Sequence, residues 1–122
     1  MTNNDLIKLL QAGKVQEFNQ FRADNPDFEI DLRGADLAYT DLSDADLSDA
    51  DLCDTVFRGA IFRGANLKGA MFHKTILEGA DLRGAFLKGA FLWTADLSGA
   101  KFDKQQITML PELLGIKVLE NK

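Results

Sequence analysis

Residues 45–69 read ADLSDADLCDTVFRGAIFRGANLKG, which divides into five units of five residues. The third residue of each unit is Leu or Phe, and the first is Ala or Thr. The same spacing places Leu or Phe at every fifth position from Leu32 to Phe102, fifteen positions in all. A period of five matches neither the helical period of 3.6 nor the strand period of 2, so it predicts a repeat architecture.

A large apolar residue at every fifth position predicts a chain that turns by a constant angle, so that each of these residues points inward. Four units per turn give a coil of twenty residues, which lies within the range of solenoid repeats. Stacked coils would lie about 4.8 Å apart, the spacing of paired strands. The predicted structural core is Leu32, Leu37, Leu42, Leu47, Leu52, Phe57, Phe62, Leu67, Phe72, Leu77, Leu82, Leu87, Leu92, Leu97 and Phe102.

Core residues twenty positions apart would stack in four columns. In one column Leu52, Phe72 and Leu92 would lie one above another, and another would end with Ile107, beyond the last unit. The small residue that begins each unit leaves room for the bulky neighbours. Where that residue is Thr, its hydroxyl can also satisfy a backbone group.

The glycines support the same frame, because eight of the ten lie two residues after the central Leu or Phe. A turn position with positive φ favours Gly and then Asn or Asp. Aspartates, which tolerate this region, fill the position in the acidic part of the chain. Tyr39, Lys74 and Thr94 occupy the same position, and we expect their corners to have a different turn type.

The units ADLSD, ANLKG, ADLRG and ADLSG resemble the pentapeptide-repeat family, whose motif is Ala-(Asp/Asn)-Leu-X-X. The resemblance covers residues 30–104, which are 75 of the 122 residues. It implies an all-β solenoid, a right-handed quadrilateral β-helix of about four coils. An open solenoid needs a cap at each end, since its terminal coils otherwise expose core and unpaired backbone.

The capping argument predicts three parts: a helical N-terminal cap over 1–26, the β-helix over 27–104, and a helical and extended C-terminal cap over 105–122. In the first part, Asn3 or Asn4 is the expected helix cap and Gly13 the break before a second helix. That second helix should stop near Asn25 and Pro26.

Phe28, Ile30 and Leu32 then alternate with acidic residues, as in a strand entering the first coil. In the C-terminal part, Pro111 suits the first turn of a helix and Gly115 suits its end.

The residue before each central one should face outward, and at several units it is apolar instead of Asp or Asn. Grouped apolar residues on the surface indicate a contact site, because soluble monomers rarely expose large apolar patches. Alternatively, some of them turn inward or are covered by the C-terminal tail. The predicted interaction residues are Met71, Phe86, Phe91 and Trp93, with Asp36, Asp41 and Asp46 from the acidic section.

The formal charge is −5, and it is unevenly distributed. Residues 31–54 hold eight aspartates and one arginine, whereas residues 55–104 hold eight basic and four acidic residues. A subset of the family resembles DNA and inhibits DNA gyrase, a type II topoisomerase, and here Asp36, Asp41 and Asp46 would carry such mimicry. The positive later units count against that role, and an acidic solvated face is the plainer interpretation.

The sequence does not favour an enzyme. It contains one histidine and one cysteine, which are too few for a zinc site or a Ser-His arrangement, and its glycines recur at turns, not in a phosphate-binding loop. Cys53, His73 and Trp93 share one outward column by chance placement. We therefore expect no catalytic residue, no metal site and no cofactor.

The sequence instead predicts a non-enzymatic protein-interaction module that presents flat faces and caps to a protein partner. A homodimer through the C-terminal end is a second expectation, with no direct nucleic-acid or membrane partner. The single cysteine suits a reducing compartment, and the start MTNNDLIKLLQAGK shows no secretory pattern, so we expect a cytoplasmic protein. The resemblance favours a bacterial source.

Overall fold

The computed structural model describes residues 1–116. This part of the chain contains three helices, α1 (Asn3–Gln11), α2 (Val15–Asp24) and α3 (Lys104–Leu113). Between α2 and α3 the chain winds as a coil, marked by eleven isolated parallel β-bridges that each join residues twenty positions apart. None of the helices in the described part is long and apolar enough to cross a membrane.

The bridges fall into four columns, which define four faces of the coil. Successive bridge positions are five residues apart, so the chain passes from one face to the next with every unit. Face 1 carries Asp31, Asp51, Met71 and Phe91; face 2 carries Asp36, Val56, Ile76 and Asp96; face 3 carries Asp41, Ile61, Asp81 and Lys101; face 4 carries Asp46, Asn66 and Phe86.

The expectation of a β-helix built from strands needs correction on one point. Within residues 1–116 every β pairing is a single-residue bridge, so no continuous strand forms. The physical reason is the short unit. Each side of five residues includes a two-residue turn, which leaves too little extended backbone for a ladder. The helices lie at the two ends of the coil, where the capping argument predicts them.

The interior of the coil is filled by the predicted column residues. Thirteen of the fifteen are buried, and Leu97 and Phe102, in the last turn, are partly buried. Leu52, Phe72 and Leu92 lie in successive turns, and the amide of Phe72 donates to the carbonyl of Phe91 at 3.0 Å. Backbone bonds between coils therefore hold each layer of side chains above the previous one.

Threonines inside the core satisfy backbone carbonyls of the coil below, as their position predicts. The hydroxyl of Thr55 donates to the carbonyl of Leu32 at 2.8 Å, and that of Thr75 donates to Leu52 at 2.6 Å. Both threonines are fully buried. A buried hydroxyl without a partner would be destabilising, so these bonds make Thr acceptable where Ala is the rule.

The corners share one backbone conformation, and the prediction of different turns at Tyr39, Lys74 and Thr94 is wrong. All corner residues two after the central Leu or Phe, from Gly34 to Gly99, have φ between 56° and 77°. The amide of the corner residue pairs with the next coil at two of these positions: that of Tyr39 donates to the carbonyl of Arg58 at 2.7 Å, and that of Lys74 donates to the hydroxyl of Thr94 at 3.1 Å. Pairing with the next coil thus overrides local preference at Tyr39 and Lys74.

Glycine at position 74 should therefore stabilise the protein. A left-handed conformation costs a non-glycine residue about 1–2 kcal/mol, and the greater entropy of unfolded glycine returns part of that. We expect Lys74→Gly to raise the free energy of unfolding by about 0.5–1 kcal/mol, measured by urea denaturation. As a control, Lys88→Gly changes the residue before a corner, which has no positive φ, and should be destabilising. A loss of stability in Lys74→Gly would contradict this account.

The first helix begins differently from the prediction, because Thr2 is its cap. Thr2 and Asp5 form a reciprocal capping box, in which the Thr2 hydroxyl oxygen accepts from the amide of Asp5 and the carboxylate accepts from the amide of Thr2. The side chain of Asn3 is used elsewhere. Its Oδ1 accepts from the backbone amide of Asp31, at the open edge of the first coil, at 3.1 Å.

The two N-terminal helices close that open edge with side-chain amides. Besides Asn3, Asn19 of α2 donates to the carbonyl of Asp44 at 2.9 Å and accepts from the amide of Asp46 at 2.8 Å. A carboxamide offers one donor and one acceptor group, as a peptide unit does, so it replaces the neighbouring coil that is missing there. α2 ends at Asp24 and Gly13 separates it from α1, as the sequence predicts.

The C-terminal helix begins earlier than predicted. Asp103 caps α3 and forms a capping box with Gln106, whereas Pro111 lies near the end of the helix and not in its first turn. Ile107, expected in the fourth core column, is 54% exposed on α3. The chain leaves the coil one residue after Asp103, so the period of five no longer applies. The predicted extended tail falls largely on residues 117–122, outside the described part.

Candidate interaction face

The structure groups two of the exposed apolar residues directly. Met71 and Phe91 are bridged neighbours on face 1 and are 40% and 53% exposed. Trp93, at the corner that follows Phe91, is 57% exposed. Large apolar side chains next to one another on a flat face are the kind of exposed patch that marks a contact surface.

These three side chains line a shallow hollow of about 310 Å³, together with Cys53 and His73. We call it the apolar hollow. The ring nitrogen Nδ1 of His73 lies 2.7 Å from the hydroxyl of Thr94, outside the hollow. At the C-terminal end of the coil, Gly115 lies next to the indole ring of Trp93: a Cβ atom at position 115 would be 3.6 Å from the ring. The end of α3 therefore approaches Trp93.

The remaining apolar bridge residues are distributed over the other faces. Val56 and Ile76 are stacked on face 2 and half-buried, and Ile61 stands on face 3. Phe86, predicted to share the contact surface, is 54% exposed on face 4, where the Lys68 ammonium lies 5.5 Å from its ring centroid. The structure therefore brings Met71, Phe91 and Trp93 together and leaves Phe86 apart.

The predicted acidic residues do not form one patch. Asp36, Asp41 and Asp46 lie on faces 2, 3 and 4, and each carboxylate accepts from the backbone amide two residues later. Asp46 also pairs with Arg22 of α2 at 3.5 Å. The three charges point in different directions from the same turn of the coil.

Sequence reasoning missed the role of the Asp or Asn before each central residue. All eight of these side chains accept from the amide two positions on, at 3.0–3.2 Å, and so close an Asx turn at the corner. The known preference of Asp and Asn for such turns would have found this role. An apolar residue at this position lacks the acceptor, so Met71 and Phe91 give up a turn contact that other units keep.

Arginine side chains pair with aspartates on faces 1 and 3. Arg33 lies 2.9 Å from the carboxylate of Asp31 and 3.5 Å from that of Asp51. The hydrogen bond from the Arg33 side chain lowers the pKa of Asp31. On face 3, the bond from Arg83 and the nearby charge of Arg63 hold the pKa of Asp81 far below its ordinary value.

The apolar hollow contains one thiol, that of Cys53, and one imidazole, that of His73. In the chain up to residue 116, no group of three or more His, Cys, Asp or Glu side chains is placed to hold a metal ion. Burial raises the pKa of the Cys53 thiol, which disfavours the reactive thiolate. The hollow is apolar and open, so its chemistry suits the packing of a partner's side chains.

Solved structures resemble this chain over part of its length. A pentapeptide repeat protein from the Arabidopsis thaliana thylakoid lumen is 40% identical over 56% of this chain and 47% of its own, with a TM-score of 0.54. Rfr23 from the cyanobacterium Cyanothece 51142 is 36% identical over 63% of this chain and 49% of its own, with a TM-score of 0.47. QnrB1, a plasmid-mediated fluoroquinolone resistance protein, is 26% identical over 70% and 45%, with a TM-score of 0.34.

The chain spans about half the length of these solved relatives. No curated protein matches it in sequence. The family model for pentapeptide repeats matches residues 29–52, 40–79 and 75–104, with eight copies of the repeat. These matches run over the whole coil from its first bridge to the cap of α3, and the chain belongs to the pentapeptide repeat family.

Proposed function

We propose that this chain is a non-enzymatic protein-interaction module that docks a protein partner on face 1. The observation that carries the proposal is the apolar hollow with Met71, Phe91 and Trp93 exposed around it. Trp in particular is enriched among the residues that dominate binding energy at interfaces. The right-handed sense of the coil, implied by family membership, is part of the same proposal.

The rigid core favours this use of the face. Each layer of side chains is buried and each coil is bonded to the next, so the surface is held in place before a partner arrives. A preorganised surface loses less conformational entropy on association than a flexible one. A cytoplasmic location is also proposed, on the ground of the single cysteine.

Loss of the apolar side chains should abolish capture of the partner. We expect Met71→Ser/Phe91→Ser to retain less than about a tenth of the partner that the unaltered chain recovers from an extract of the encoding organism, because central apolar contacts dominate affinity. The bound protein is quantified by mass spectrometry. The matched control is Tyr39→Ser/Ile61→Ser, which removes exposed apolar residues away from face 1. Equal losses in both variants would contradict the proposal.

A homodimer through the C-terminal end is proposed as well. Ile107 and Ile116 are exposed there, and Trp93 stands beside Gly115. We expect light scattering to give twice the chain mass for the unaltered protein and the single mass for Ile107→Ser/Ile116→Ser. If that variant kept the mass of a dimer, or if the unaltered protein were a monomer, the proposed C-terminal interface would be contradicted. A mass halved by Phe91→Ser/Trp93→Ser alone would move the interface to face 1.

Mimicry of DNA as an inhibitor of a type II topoisomerase has weaker support. The mimic needs negative charge along a rod. Here Asp36, Asp41 and Asp46 lie on three faces and close their own turns, and residues 55–104 carry a net positive charge. The docking proposal on face 1 accounts for more of the exposed surface.

A further inference from the structure

A second hollow adjoins the apolar hollow on the lower part of face 1. It has a volume of about 590 Å³ and lies between the first coils and the segment that follows α2. Asp27, Glu29, Asp49 and Asp51 line it, and Met71 lines both hollows. We call it the acidic hollow. Face 1 is therefore one continuous surface, acidic in its lower half and apolar in its upper half.

The acidic hollow keeps an uncompensated negative charge. Its two arginines are already engaged: Arg33 pairs with Asp31 and Asp51, and the mostly buried Arg22 donates to the carbonyls of Asp46 and Ser48. The three other carboxylates are exposed and take part in no ion pair within residues 1–116: Asp27, Glu29 and Asp49.

We infer that face 1 recognises a protein segment that is apolar at one end and basic at the other. The inference rests on the proposed function and adds the chemistry of the partner. The apolar end fills the space beside Met71, Phe91 and Trp93, and Lys or Arg side chains reach the acidic hollow. From Phe91 down to Asp31 is three coil steps, about 14 Å at strand spacing.

The distance between the two hollows and the charge of the acidic hollow define the length and the composition of the partner segment. A distance of about 14 Å is the rise of roughly ten helical residues, so one short amphipathic helix can span both hollows. Exposed charges at the rim of an interface act mainly through association rate and salt dependence. Binding should therefore weaken as salt is added, although the apolar half is insensitive to it.

Selection from a random peptide library tests the inference directly, since it requires only the chain itself as the target. Displayed peptides of about twelve residues, long enough to cover both hollows as a helix, are selected on the full chain. Synthetic copies of the enriched peptides are then measured by fluorescence anisotropy at about 0.05 M and about 0.5 M salt. We expect sequences with an apolar cluster and a separate group of Lys or Arg.

Two variants divide the surface. Met71→Ser/Phe91→Ser should weaken the enriched peptides at least about tenfold at both salt concentrations. Asp27→Asn/Glu29→Gln/Asp49→Asn should weaken them about tenfold at low salt and remove the salt dependence. None of these five side chains closes an Asx turn, so the coil is expected to remain folded.

A matched control removes the same charge elsewhere. Glu17→Gln/Asp36→Asn/Asp44→Asn changes one glutamate and two aspartates outside the acidic hollow, and it should leave affinity and salt dependence nearly unchanged. Equal effects of the two charge variants, or enriched peptides that bind face 1 without basic residues, would overturn the inference and leave the docking proposal standing. Peptides insensitive to Met71→Ser/Phe91→Ser, or a selection without binders, would count against both.

Discussion

Replacing Phe62 by alanine is expected to lower the free energy of unfolding by about 4 kcal/mol, since truncation of a buried Phe typically costs about 3–5 kcal/mol. Phe62 is fully buried in a middle coil, and its ring meets that of Phe57 edge to face at 5.0 Å. A cavity there cannot collapse easily, because the backbone above and below is held by bonds between coils. Urea denaturation gives the free energy directly.

Phe102 is the matched control for this position. It belongs to the same core column but lies in the last turn, where it is only partly buried. Phe102→Ala should cost about 1–2 kcal/mol, because less apolar surface is lost and α3 can settle into the space. Equal effects of the two substitutions would show that the middle of the column is not the centre of stability.

The coil could be predicted from sequence because its pattern is local and periodic. A Leu or Phe at every fifth position shows that each side of the coil is five residues long. Comparing residues twenty positions apart then tests whether the coil has four sides. Residues twenty positions apart share a face, so the same arithmetic places Met71 under Phe91 and Val56 under Ile76, and bridges join both pairs. Burial of Thr55 and Thr75 with a carbonyl partner also followed from their position in the unit.

The grouping of the candidate site was predicted less well. Residues five positions apart lie on successive faces. Asp36, Asp41 and Asp46 therefore lie on three different faces, and Phe86 lies on a different face from Phe91. The period of five is enough to predict this separation of the side chains. It does not predict the acidic hollow, because the hollow depends on where the segment after α2 packs against the coil. Such packing between a cap and a repeat has no periodic pattern in the sequence.

The ends of the coil show the same limit. The sequence predicted the three helices through their apolar residues, but the caps at Thr2 and Asp103 depend on reciprocal side-chain bonds. Asn3 fits a helix cap by residue type, yet its amide is taken by the coil edge at Asp31. Competition between two partners for one polar side chain is decided by tertiary distance, and residue preference alone cannot resolve it.

The C-terminal cap contains a buried polar side chain, that of Gln106, which is 4% exposed on the side of α3 that faces the coil. Its side-chain nitrogen donates to the carbonyls of Leu82 and Ala85, at 2.5 and 2.9 Å, and its side-chain oxygen accepts from the amide of Asp103 at 2.9 Å. The Leu82 carbonyl is the counterpart of the Leu32 and Leu52 carbonyls that core threonines contact. Gln106 thus continues the role of those threonines after the last coil.

Gln106→Leu keeps a side chain of similar size and removes all three bonds. The Leu82 carbonyl still accepts from the amide of Ala85 at 3.0 Å, whereas the Ala85 carbonyl and the Asp103 amide lose the partner that Gln106 supplies. An unsatisfied buried polar group costs about 1–3 kcal/mol, so these two groups together should destabilise the docked α3 by about 3 kcal/mol. The loss should be local, because the coil below keeps its own bonds. We expect the amides of Gly84 and Leu92, bonded to Asp103 and Leu113, to exchange hydrogen about a hundredfold faster.

Gln105→Leu supplies the control, since it changes the same residue type on the exposed side of α3. It should leave the exchange of both amides within about a factor of two, as surface substitutions seldom exceed ~0.5 kcal/mol. If Gln106→Leu instead accelerated every amide of the coil equally, α3 would be part of one cooperative unit with the core. If it accelerated none, the helix would be held by its apolar contacts, chiefly the buried Leu113, and the carboxamide would have no role in capping.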